Sequence, residues 1–145
     1  MKKFLILALL LPVSVTAAEQ DNIGLTAHNL FDTRTSLGLS AKVKHRQLVH
    51  MRAQLMATQA IIGLLAEENF DRATKIVQTK LGMSDEMKQI YERTNNEDFK
   101  QLGLAFHNSA DELGTALQTK DMKKSLQALS NTMKYCVQCH NKFRQ

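Results

Sequence analysis

Tryptophan is absent from this 145-residue chain, proline occurs once and cysteine twice. Aromatic residues make up 6% and only six glycines are present. The single proline, Pro12, falls in an N-terminal leader, so almost nothing in the body of the chain interrupts helices and little favours strands. Both cysteines stand three apart near the C-terminal end, Cys136 and Cys139. A disulfide between them would close a loop too short to constrain the unfolded chain, which excludes a stapling role. A large excess of one charge is missing as well: the formal net charge is +5. Without Lys2 and Lys3 the 19 basic residues become 17 against 14 acidic ones, or +3. So mild and dispersed an excess excludes a nucleic-acid partner.

What is there begins with MKKFLILALLLPVSVTAA, residues 1–18. Two lysines, a short apolar run and small residues have the order of a secretory signal, with cleavage expected after Ala18 and Ala17 as the nearby rival. The run from Phe4 to Leu11 is too short to span a bilayer, so no membrane span is expected in the mature chain of about 127 residues. Residues 19–39 read as a mixed, glycine-dotted lead segment with a short helix around Leu25 to Thr33. Residues 40–145 read as one domain of four long helices.

Periodicity carries that reading. From about Ser40 to Glu68, the residues Leu48, Met51, Leu55, Thr58, Ile62 and Leu65 alternate spacings of three and four, one inward stripe of a bundle helix. Asn69 caps a second helix with Phe70, Ala73, Ile76, Val77 and Leu81 inward and Gly82 as its stop. Ser84 to about Glu92 adds a short extra turn or two. Asn95 or Asn96 opens a third helix with the stripe Phe99, Leu102, Phe106, Ala110, Leu113 and Leu117. Asp121 caps a fourth, whose stripe Leu126, Leu129, Met133, Cys136, His140 and Phe143 predicts a buried face for Cys136 and His140, with Cys139 beside them. Short connections make consecutive helices antiparallel.

The fourth helix ends in CVQCHNKFR, residues 136–144. Three chemistries use a close cysteine pair. Structural zinc needs four ligands, and the histidines lack the paired spacing of a finger. A thioredoxin-like dithiol needs a helix N-terminus to lower a thiol pKa, whereas this pair lies near a C-terminus, where the dipole opposes a thiolate. C-x-x-C-H is the spacing of covalent haem attachment: two thiols on one helical face join the two vinyl groups, and the next histidine reaches the iron.

A secretory leader, four helices and a terminal CVQCHNKFR together resemble the class II cytochromes c, the cytochrome c prime family. The resemblance covers residues from about 40 to 145 and implies an all-α, antiparallel up-down four-helix bundle with covalently bound haem. By position it implies that Cys136 and Cys139 hold the haem, that His140 is the proximal iron ligand, and that Arg144 lies near the haem. The family's distal position falls on the first helix, in KHRQLVHMRAQLM, residues 44–56. Met51 is the preferred sixth ligand, ahead of His50 and Met56. The chain departs from the family in carrying His45-Arg46 where members often have an aromatic-arginine pair. His107, beside the inward Phe106, reads as a half-buried surface histidine and not a ligand.

These expectations describe an exported, periplasmic protein with one covalent haem c and its iron, carrying single electrons by ferric/ferrous cycling and transforming no substrate. Its partners would be periplasmic redox proteins, and the family resemblance adds a possible homodimer. Five-coordinate relatives that bind or scavenge small gases such as nitric oxide supply the alternative, and a dithiol redox protein the weaker one.

Overall fold

Ser40, Asn69, Asn96 and Asp121 each turn a side-chain oxygen onto a main-chain N–H of the turn that follows, at 3.5, 3.3, 2.9 and 3.0 Å. Each cap satisfies one of the donors that a helix start leaves unpaired, worth about 1 kcal/mol. Ser84 does the same for Met87 at 3.2 Å. The five helices that result are α1 (Ala41–Ala66), α2 (Phe70–Lys80), the short α3 (Asp85–Glu92), α4 (Glu97–Gln118) and α5 (Met122–Lys142). This computed structural model describes residues 32–92 and 94–145. The expected leader, and most of the short helix expected from Leu25, lie outside the described residues.

α1 packs on α2, α2 on α4, α4 on α5, and α3 on α4. From Thr33 to Gln145 they form one compact unit, the expected all-α antiparallel four-helix bundle. Its main core joins Ile61, Leu65, Ala73, Val77, Leu113 and Leu117, all at 0–1% exposure, with Leu129 from α5. Full burial of one such aliphatic side chain contributes about 1.5–3 kcal/mol. A second, smaller cluster gathers Tyr91, Phe99 and Phe143. Phe99 and Phe143 meet edge to face at 5.6 Å, and Tyr91 lies 6.2 Å from Phe99.

Two of the expected stripes have the wrong phase. On α1, Leu48, Leu55 and Ile62 face outward, whereas Ala57, Ile61, Leu64 and Leu65 are buried. The expected line and the buried line share Leu65, and Met51 and Thr58 are half-buried. The packed face therefore lies one residue earlier than the most apolar one, because spacing fixes a face only to within the width of one residue. On α5, Leu126 and Met133 are exposed while Ser125, Leu129 and Thr132 are buried. Small hydroxyl residues let α5 approach α4 closely. Their donors return to carbonyls, Ser125 to Asp121 at 2.7 Å and Thr132 to Ser109 across the interface at 3.1 Å. By length and composition α1 could cross a membrane, yet its C-terminal half is committed to the bundle core.

The end of the lead segment has a structural role that periodicity did not reveal. Residues Thr35–Ser36 form β1 and pair in parallel with β2, Phe143–Arg144. Leu37 N–H donates to the Arg144 carbonyl at 3.0 Å, and Arg34 donates to the His140 carbonyl at 3.3 Å. That carbonyl is one of those a helix C-terminus leaves without an intrahelical donor. The segment thus straps the last turn of α5, and β2 seats Phe143 in the aromatic cluster.

Candidate haem-binding site

One cavity gathers the residues that the motif and the first helix brought to attention. Its wall takes His50, Met51 and Gln54 from α1, Met87 and Tyr91 from α3, Phe99, Leu102, Gly103 and Phe106 from α4, and Tyr135, Cys136, Cys139 and His140 from α5. α5 supplies the thiols and the imidazole because positions i, i+3 and i+4 share one helical face. α4 supplies an apolar floor at successive spacings of three and four: Phe99, Leu102, Phe106. α3 closes the side, with Tyr91 lying on Gly103 so closely that a Cβ there would collide with the tyrosine ring.

The thiols are free and protonated in character. Cys136 is exposed and Cys139 half-buried. Even so, protein packed around the Cys136 sulfur raises its pKa, and burial raises that of Cys139, helped by the neighbouring Cys136. Raised thiols are the reverse of what a dithiol redox centre needs. Burial, then the charge of Cys139, pushes the Tyr91 hydroxyl up to about 12, so it stays a donor at neutral pH. Among the described residues no three His, Cys, Asp or Glu side chains come together as a metal-ion cluster.

The structure brings Cys136, Cys139, His140, Met51 and His50 to one cavity. His140 is exposed at its edge, and His50 and Met51 are both half-buried. Met56 is 71% exposed and takes no part in the wall. Arg144 lies in β2, exposed and outside the cavity.

His107 differs from expectation. It is 2% exposed, with Nδ1 2.7 Å from the Leu81 carbonyl. A carbonyl only accepts, so Nδ1 carries the proton, and the buried Nε2 is left without a partner. Burial lowers its pKa, against the raising effects of the Leu81 and Gly82 carbonyls and Asp111. Its surroundings explain the error: the ring lies 5.0 Å from Phe106 and 5.8 Å from Tyr91, and the end of α2 that receives its proton is distant in sequence. Tyr91 and Met87 escaped the sequence reading too, although Gly103 inside an apolar helical stripe was the available sign of a close approach.

The residues fit a c-type haem. Two free thiols one helical turn apart stand beside an imidazole, and thioether, aliphatic and aromatic side chains share the rest of the wall with Gln47, His50 and Gln54. The cavity volume, about 100 Å³, is below the roughly 300–1,000 Å³ of typical ligand pockets. On the α1 side of the cavity no residue before Ala57 is buried. Fold and site together define a helical-bundle protein of the c-type haem class. A family model described as Cytochrome C' matches residues 39–144, and the chain belongs to that family. No curated protein and no solved structure matches it.

Proposed function

We propose that this c-type haem protein is a periplasmic carrier of single electrons and not an enzyme, with haem c joined through Cys136 and Cys139. His140 is then the proximal iron ligand, Met51 the distal one, and Arg144 a basic neighbour of the proximal side. The observation that carries the reading is that α1 presents Met51 to the same cavity to which α5 presents the thiols and His140. When bound, such a haem supplies a one-electron ferric/ferrous couple whose potential a methionine ligand raises. The chain's own residues do the rest: Cys136 and Cys139 anchor, Phe99, Leu102 and Phe106 exclude water, and Tyr91 closes the side against Gly103.

The leader reading supports export, and the mild charge fits redox partner proteins of either sign. A homodimer is compatible with the apolar residues that α1 leaves exposed. A ferric absorption spectrum tests the assignment. Low-spin bands with a weak sulfur-to-iron charge-transfer feature near the red end are expected, and Met51→Ala should turn the spectrum high-spin. A high-spin wild-type spectrum would overturn the carrier reading in favour of a five-coordinate binder of small gases such as nitric oxide. His50→Ala should leave the ferric spin state as it is.

A further inference from the structure

The first half of α1 carries the preferred distal ligand, yet it has no buried residue to fix it in place. Two hydrogen bonds tie it to Gln145, the residue after β2. Lys44 Nζ donates to the Gln145 main-chain oxygen at 3.0 Å. The Gln145 side-chain Nε2 donates to Met51 Sδ at 3.4 Å. A thioether sulfur is a weak acceptor with two lone pairs, and this contact engages one of them.

The orientation of the Gln145 amide follows from the same surroundings. Turned over, its oxygen would face the sulfur, lone pair against lone pair, so the NH2 group belongs where it is. The other end of the amide, Oε1, is buried and has no hydrogen-bond partner. Burying an acceptor that way is unfavourable, and the contacts that hold Gln145 there must offset it. They are the β1–β2 ladder, the Leu37 to Arg144 hydrogen bond and the Lys44 contact just described. Gln145 does not line the cavity. It reaches the site only through Met51.

We propose that Gln145 is a positioning residue for Met51. Its amide N–H holds the thioether by one lone pair and leaves the other for the iron, so the β1–β2 strap sets how firmly the distal side is closed. Methionine has three freely rotating side-chain bonds and otherwise samples many positions. This inference rests on Met51 as distal ligand; without that, the hydrogen bond is a packing contact.

Two measurements on the haem-loaded protein, carried out on the wild type, Gln145→Ala, Gln145→Glu and Met51→Ala, separate the possibilities. Ferric absorption reads the low-spin fraction. The methyl resonance of Met51, in protein labelled with ¹³C-methyl methionine and assigned by its loss in Met51→Ala, reads the contact itself. Gln145→Ala should shift the equilibrium between Met51-bound and Met51-free iron by about threefold toward high-spin, the size expected for one modest hydrogen bond. It should also move the Met51 methyl resonance. Gln145→Glu, ionised and without an N–H, should act in the same direction.

An unmoved methyl resonance in Gln145→Ala overturns the contact and the inference with it. A moved resonance with an unchanged spin equilibrium, in a protein where Met51→Ala does turn high-spin, overturns the positioning role. If Met51→Ala leaves the spectrum as it was, the ligand assignment itself has failed, which the methyl readout distinguishes from a failure at Gln145.

Discussion

The two ends of this bundle use the same helices for opposite purposes. At one end the second half of α1, α2 and the later turns of α4 enclose side chains at 0–1% exposure, Ile61, Val77, Leu113 and Leu117 among them. At the other, the first half of α1 buries nothing, and α3, α4 and α5 line a cavity with aromatic rings, thioethers and thiols. The closed end has no guest to accommodate and can pack to interior density. The open end leaves apolar surface for another body to cover, so its stability is linked to whatever binds there. A protein that must hold a large planar group between helices gains by keeping its cooperative core elsewhere.

The contrast can be broken most forcefully at the closed end. Leu113→Ala should cost about 2–5 kcal/mol, read as a lowered midpoint in chemical denaturation. The ferric spectrum of the folded protein should stay as it was. Gly103→Ala acts at the open end. The added Cβ meets the Tyr91 ring, so that ring must give way, at about 1–3 kcal/mol for overpacking, and here the Soret band should move along with the melting temperature. A reversed pattern, with the core variant altering the spectrum and the glycine variant leaving it alone, would dissolve the division.

The smallest expected effect is one of pH, where the two ends meet. His107 joins α4 to the end of α2 at Leu81, and its ring touches Tyr91 of the open end. Its folded-state pKa lies below the usual 6.5, so the unfolded chain binds the proton more readily. The stabilisation from neutral His107 is therefore complete above about 6.5 and is lost as pH falls toward and through the lowered value. His107→Gln keeps a donor for the Leu81 carbonyl but cannot titrate. Its stability should fall less steeply on acidification than that of the wild type, measured as the difference between their denaturation midpoints across that range.

How far the sequence could be read also differs between the ends. Helix starts were legible wherever a polar residue could cap one, as at Asn69 and Asp121, because a cap is a local interaction between near neighbours. The α4 stripe was legible because α4 is packed from several sides, so its apolar face and its buried face coincide. On α1 they separate. Leu48, Leu55 and Ile62 are more apolar than His50 and Gln54, yet the polar pair faces the cavity and the aliphatic trio faces out. A hydrophobic stripe reports where apolar surface lies and not which body will cover it. The cysteines and His140 were legible for a different reason, since their spacing is fixed by the chemistry of a cofactor. Gln145 and the strap gave no such sign, because a two-residue ladder has no period to detect.

That ladder bears on the order in which the molecule assembles. Arg34 and the His140 carbonyl that it caps are 106 positions apart, so the contact cannot form until the whole bundle has brought the two stretches together. Closing a loop of that length before other contacts exist has a high entropic cost. The α1–α2 pair, by contrast, is joined by a short turn, so its contacts close at lower entropic cost than the strap's. Lys44, Met51 and Gln145 add contacts of nearly the same span between the first half of α1 and the end of the chain. The fold thus holds its least buried helix half by contacts that span most of the chain.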